Sequence, residues 1–287
     1  MTVKSESRHE IKTDIEVERI FRIRKSFRFS DFMKLLLKPL QFFYSIYALI
    51  VFIICMFVVF PLVFIASFRG KMKGGNFIYS ISRIWADVWY FMIGICHQNI
   101  FEFPLDKNKQ YVFVANHISY MDIPTIFKTI RKRSIRVLGK EQMKNVPIFG
   151  FIYSRGAVMV DRNSSAVRTK SVLQLKSIVR RGVSIVIFPE GTFNETHHPL
   201  KDFYNGAFRI AIETQTPILP ILFLDTYDRL HFKSIFSLTP GRSRAVFLEE
   251  VKVDSFSLKD INALKNIVYD LMEKKLIEYK ASWIEKT

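Results

Sequence analysis

The stretch Asn116-His117-Ile118-Ser119-Tyr120-Met121-Asp122 sets an imidazole and a carboxylate five residues apart, directly after the apolar run Tyr111–Ala115. An imidazole changes protonation near neutral pH, so it can take a proton from a reacting group. A carboxylate folded back onto its other ring nitrogen fixes the tautomer and stabilises the imidazolium that forms. No serine is needed beside this pair, because a substrate hydroxyl can itself be the nucleophile once His117 takes its proton. The same residues also suit a plain strand-to-helix turn with Asp122 as the N-cap.

Three further groups lie downstream. Gly156-Ala157-Val158-Met159-Val160-Asp161-Arg162 ends an apolar run on a guanidinium, whose planar fork matches a phosphate. In Phe188-Pro189-Glu190-Gly191-Thr192, Gly191 lets backbone N–H groups approach an anion and the Thr192 hydroxyl can donate to it. A bare Glu190 would repel phosphate, which points to it ordering Arg162 or Lys140, or bonding a glycerol. The last group is Thr216-Pro217-Ile218-Leu219-Pro220-Ile221.

In order and spacing these blocks, with Lys140-Glu141 and Pro147–Gly150 between the first two, resemble the lysophospholipid acyltransferase superfamily. The resemblance covers residues of about 40 to 225. It implies a membrane enzyme of phospholipid synthesis that moves a fatty acyl group from acyl-CoA or acyl carrier protein to the sn-2 hydroxyl of lysophosphatidic acid. It also implies His117 and Asp122 as the catalytic pair, Asn116, Lys140, Arg162, Glu190, Gly191 and Thr192 as substrate-binding residues, and the second and third blocks as the part that holds the acyl acceptor. Pro217 and its neighbours would shape the acyl channel. Two positions depart from the pattern. Phe193-Asn194 stand where the family commonly has Arg-Ser, and Asn205 replaces a frequent basic residue. One phosphate-facing cation is therefore missing, with Lys140, Lys201 or Arg209 as candidate replacements. The departures raise a second acceptor class, lysophosphatidylglycerol or an amino-acid-containing lipid.

The elements that must carry these residues read as an α/β domain with a largely parallel, mixed sheet flanked by helices. Strands are expected at Tyr111–Ala115, Arg136–Leu138, Ala157–Val160, Val183–Phe188, Ile218–Leu224 and, with breaks, Arg244–Val253. Helices are expected after Asp122, from Ser164 or Ser165 to Gly182, over Gly206–Thr214 and over Leu258–Tyr279. Val183–Phe188 is apolar throughout, as in a strand covered on both faces.

Three parts follow from this reading: residues 1–38, polar and then basic-amphipathic; 39–100, membrane-embedded and interfacial helices; and 101–287, the acyltransferase domain. Pro39–Phe68 holds thirty residues without a charge, more than the roughly 20 that cross a bilayer core. Cations flank both ends, so the positive-inside rule gives no asymmetry. A re-entrant hairpin bent near Pro61 and a tilted single span both fit. Residues 76–98 suit an interfacial helix. A polar start with no apolar run before residue 39 argues against a cleavable signal peptide.

The net charge of +17 draws the chain toward anionic partners. With no nucleic-acid reading module present, membrane phospholipids are the expected partner rather than nucleic acid. Cys55 and Cys96 form no metal spacing, and the other histidines form no ligand array, so neither a metal nor a tightly bound cofactor is expected. The location expected is the cell membrane, with the catalytic domain on the cytoplasmic face. A non-catalytic protein binding anionic lipid is the rival from a different class.

Overall fold

Seven strands make one sheet in the order β1-β7-β6-β2-β5-β3-β4. The computed structural model describes residues 37–106, 108–160 and 165–285. Arg162 and nearly all of the 1–38 segment lie outside these. The strands are β1 (Ile95–Phe101), β2 (Val112–Ala115), β3 (Ile135–Lys140), β4 (Ala157–Val160), β5 (Ser184–Ile187), β6 (Ile218–Phe223) and β7 (Gly241–Phe247). All pairings are parallel except β6 with β7. The central strands β2, β5 and β6 are buried at every residue. Runs of Val, Ile and Phe suit that place, since a strand covered on both faces needs no polar alternation.

Helices α5 (Ser165–Arg180), α6 (Gly206–Thr214) and α8 (Ile261–Glu278) cover one face, with Leu175, Phe208, Leu264, Val268 and Met272 buried against the sheet. The other face is covered by α2 (Gly75–Met92) and α3 (Asp122–Thr129), through Tyr79, Ile126 and Ile130. The short α4 (Phe149–Gly156) leads into β4, and α7 (Thr226–Arg229) follows β6.

Ahead of these runs α1 (Leu37–Ser67), the one helix among the described residues long and apolar enough to cross a membrane. It passes through Pro61 unbroken, so of the two arrangements the sequence allowed, the hairpin bent near Pro61 is not found. The chain reverses instead between Ser67 and Gly75, through a π turn at Gly70–Gly74. Glycine explains the place. Gly70 has φ +76°, and a Cβ on Gly74 would lie 2.4 Å from the Ala66 carbonyl oxygen.

The return arm is α2. Trp89 Nε1 donates to the Ala48 carbonyl at 3.1 Å, and Phe52 meets the edges of Trp85 and Trp89 with centroids 5.4 Å apart. The two charges of α2 point to α3. Asp87 pairs with Lys128 and Arg131, and Arg83 donates to the Arg131 carbonyl. Its outer stripe, Ile84, Val88 and Phe91, is exposed and apolar, as an interfacial helix requires.

That helix ends at Met92, not near residue 98. Ile95–Phe101 is instead the edge strand β1, hidden in the sequence by its polar centre. His97 bonds Ser243 and Asn99, and Asn99 donates to the Thr129 carbonyl, so these polar groups are satisfied inside the sheet. Burial holds the His97 imidazole down to about 4, so it stays neutral. The last stretch read as strand also breaks: β7 stops at Phe247, and an isolated bridge joins Ile218 and Val251.

Candidate functional site

Strand β2 delivers its last residue to the carboxyl edge of the sheet, where open α/β folds place their sites. Asn116 follows it and is only 1% exposed. Its amide donates to the Phe223 carbonyl at 3.1 Å and accepts from the Phe223 N–H at 2.8 Å. These bonds lock the end of β2 to the end of β6. Asn116 is therefore an anchor, and the expectation that it touches a ligand is corrected.

The next turns wind around Asp122. One carboxylate oxygen, Oδ2, accepts from His117 Nδ1 at 2.8 Å, from the Ile118 N–H at 2.8 Å and from the Ser119 N–H at 2.9 Å. Asp122 is fully buried, and Oδ1 has no partner among the described residues. An ionised carboxylate only accepts, so His117 carries its proton on Nδ1 and leaves Nε2 as a lone pair. The ring is gripped from the sides, stacked on Phe188 at 4.1 Å and met edge-on by Phe193 at 4.5 Å.

Both backbone groups of His117 are held by the loop after β5. Its N–H donates to Glu190 Oε1 at 2.7 Å, and its carbonyl accepts from the Asn194 N–H at 2.7 Å. The second Glu190 oxygen accepts from the Lys201 N–H at 2.9 Å. Glu190 is 2% exposed and each of its oxygens accepts from a backbone N–H, so it fixes the backbone of the imidazole. Burial pushes its carboxyl up to about 8, the two N–H bonds pull it down, and nearby Asp122 raises it.

Gly191, at φ +76°, turns its N–H to the Phe188 carbonyl at 3.1 Å. The turn needs that glycine, and its N–H is not offered to an anion. Thr192 is exposed and its hydroxyl accepts from Lys201 Nζ at 2.9 Å. Lys201 thus stands beside the block that lacks its usual cation. Arg209, another candidate replacement, pairs with Glu213 at 3.2 Å. Lys140, the last residue of β3, lines the cavity that His117 faces.

This cavity has a volume of about 410 Å³. From His117 and Lys140 it runs between Phe149, Trp85 and Trp89 to Leu49 and Phe52 of α1. One end is polar and the rest apolar, the form expected for an amphiphile with a headgroup and a chain. Pro217 and Pro220 do not line it. Ala115 pairs with Ile221 at the site end of β6, and Pro217 precedes the strand at its other end. Sequence reasoning missed the aromatic collar of Phe188, Phe193 and Tyr120. The substitution of Phe193 into the third block was its one visible trace.

The His117–Asp122 pair thus lies at the carboxyl edge of this sheet and opens on an apolar cavity walled in part by α1. The model of the Acyltransferase family matches residues 97–224 of the chain. Among curated relatives, the 1-acyl-sn-glycerol-3-phosphate acyltransferase of Haemophilus influenzae is 28% identical over 172 residues, covering 58% of this chain and 68% of that protein. The enzyme of the same name from Cocos nucifera is 26% identical over 182 residues, covering 63% of this chain and 58% of its own length. The match thus spans about three fifths to two thirds of these relatives. The crystal structure of the 1-acyl-sn-glycerophosphate (LPA) acyltransferase from Thermotoga maritima shares the fold, with TM-score 0.65 and 22% identity over 87% of this chain and 99% of that one.

Proposed function

We propose that the protein acylates the sn-2 hydroxyl of lysophosphatidic acid with a fatty acyl thioester, acyl-CoA or acyl carrier protein, to give phosphatidic acid. The observation that carries this reading is the Asp122-held imidazole, its free Nε2 facing an apolar cavity that extends to α1. Names of the relatives support the acceptor class.

In this mechanism His117 Nε2 takes the hydroxyl proton while the oxygen attacks the thioester carbonyl carbon. Asp122 stabilises the resulting imidazolium. The tetrahedral intermediate collapses with cleavage of the carbon–sulfur bond. The leaving thiolate recovers the proton from His117, so the products are an ester and a free thiol. Lys140, Lys201 and Thr192 hold the acceptor phosphate. The acyl chain lies along Trp85, Trp89 and Phe52. No resident cofactor takes part.

The proposed placement at a membrane is supported by the length and packing of α1. At about 46 Å by helix rise, it is long enough to leave the domain behind, yet both ends stay packed on it. Gln41 donates to the Ser237 carbonyl at 2.8 Å, and Phe60 and Phe64 contact Phe151. This packing supports a helix lying along the bilayer surface with Phe43, Ile54, Phe57 and Ile65 in lipid, and a domain on the cytoplasmic side belongs to the same proposal.

Phe193 favours a second reading, an acceptor whose headgroup carries less charge. Purified protein in detergent, given long-chain acyl-CoA and either lysophosphatidic acid or lysophosphatidylglycerol, separates the two. Phosphatidic acid as the main product supports the first. Acylation of lysophosphatidylglycerol alone moves the assignment to the second, and transfer to neither, with acyl carrier protein also tried, ends both.

A further inference from the structure

A second cavity, of about 590 Å³, shares no lining residue with the first. It runs along β4 and α5, from Arg136 near the start of β3 to Glu141 just past its end. Its described lining carries four cations, Arg136, Arg155, Lys170 and Arg181, against one carboxylate, Glu141, which already pairs with Lys144. Ser67, Ser154, Ser177 and Gln174 add neutral hydrogen-bonding groups around them.

Arg136 makes this a built feature and not a solvated rim. It is 4% exposed, and its guanidinium donates to the Met72 carbonyl at 3.1 Å, to Asn76 Oδ1 at 2.9 Å and to its own neighbour, the Ile135 carbonyl, at 2.8 Å. A Cβ on Gly75 would lie 2.3 Å from its Nη2, so the glycine of the turn makes room for it. Arg155 is also positioned, its guanidinium 5.1 Å from the Phe151 ring centroid.

The surroundings say what such a cavity meets. It opens beneath the reversal between α1 and α2, next to Ile65 and Phe68, which are 59% and 77% exposed. Side chains of that kind enter the acyl region and set the cavity mouth at headgroup depth. A phosphodiester arriving there finds guanidinium and ammonium donors, the strong partners for phosphate oxygens.

We propose that this cavity binds the phosphodiester headgroup of an anionic phospholipid, at a site separate from the acceptor site. Lys170 and Arg181, both exposed, reach the ligand, and Arg136 shapes the floor. Occupancy ties the turn of the membrane hairpin to β4 and α5.

The test uses the full chain in a neutral detergent, titrated calorimetrically with dihexanoyl phosphatidylglycerol, dihexanoyl phosphatidylcholine or inorganic phosphate. Saturable binding of the glycerol lipid, with little of the choline lipid, is expected. It should weaken roughly tenfold or more in Lys170→Gln/Arg181→Gln, since each charge-assisted bond to phosphate is a strong one. It should stay unchanged in His117→Ala and in a charge-matched control, Lys252→Gln/Lys259→Gln. Equal loss in the control reduces the effect to net charge and overturns the site. So does loss in His117→Ala with retention in Lys170→Gln/Arg181→Gln, which places the lipid in the acyl cavity. Binding of inorganic phosphate that depends on Lys170 and Arg181, without binding of the lipid, overturns the lipid assignment.

Discussion

The loops around His117 and the α1–α2 hairpin are held by different physics. At the imidazole, polar contacts dominate: three donors converge on one Asp122 oxygen, and both backbone groups of His117 are tied to the next loop. In the hairpin, aromatic packing dominates, with Phe52, Trp85, Trp89, Phe149 and Phe151 meeting across helices. Hydrogen bonds are directional and fix a proton-transfer geometry. Ring packing tolerates small shifts, which suits a wall that must receive a flexible chain. The polar site and the aromatic hairpin thus differ in the kind of contact that holds them, and one cavity runs from the first to the second.

The largest effects are expected on the polar side. Asp122→Asn keeps the shape but not the negative charge that stabilises the imidazolium, and should lower kcat by roughly 10²–10⁴-fold with little change in KM. Glu190→Ala leaves the His117 and Lys201 N–H groups without acceptors. Unfolding in denaturant should show a loss of about 1–3 kcal/mol for each group left unpaired, with activity falling alongside. A change confined to KM would break the view of Glu190 as a support.

Glu190 also gives a pH signature. Its folded carboxyl sits at about 8 against an ordinary 4.5, so the folded state holds a proton that the unfolded state releases earlier. Its contribution to stability is full below about 4.5 and is lost as pH rises through about 8. Thermal melts of the wild type should fall across that window relative to Glu190→Gln, whose profile should be flatter.

On the packed side the effects are smaller and of another kind. Ile54→Glu/Phe57→Glu places charge on the lipid face of α1 and should cut vesicle binding by roughly tenfold or more while the detergent-solubilised enzyme keeps its kcat. Phe193→Arg, at the border of the two regions, should shift the acceptor ratio toward lysophosphatidic acid over lysophosphatidylglycerol, by about tenfold at most. No shift in that ratio would mean that position 193 does not face the headgroup.

Much of the polar region was legible because its chemistry is local. His117 and Asp122 are five residues apart, and the turn between them closes on itself. Element types followed from apolar runs such as Val112–Ala115 and Ile218–Phe223. The partners of Asn116 and Glu190 were not legible, since they are backbone groups up to 107 residues away with no signature in side-chain type. Strand β1 escaped because its polar residues pair inside the sheet, leaving no alternation to read. The reversal at Gly70–Gly75 was hidden for a different reason. Proline marks a break in sequence, yet a helix packed along its whole length tolerates one missing hydrogen bond.

The central claim, that the Asp122-held imidazole generates the attacking oxygen, is tested most directly by single-turnover acyl transfer from long-chain acyl-CoA to lysophosphatidic acid in the wild type and His117→Ala. The account predicts phosphatidic acid from the wild type, no acyl-protein before the acceptor is added, and turnover lowered by roughly 10²–10⁴-fold in the variant. Near-normal turnover by His117→Ala would contradict it.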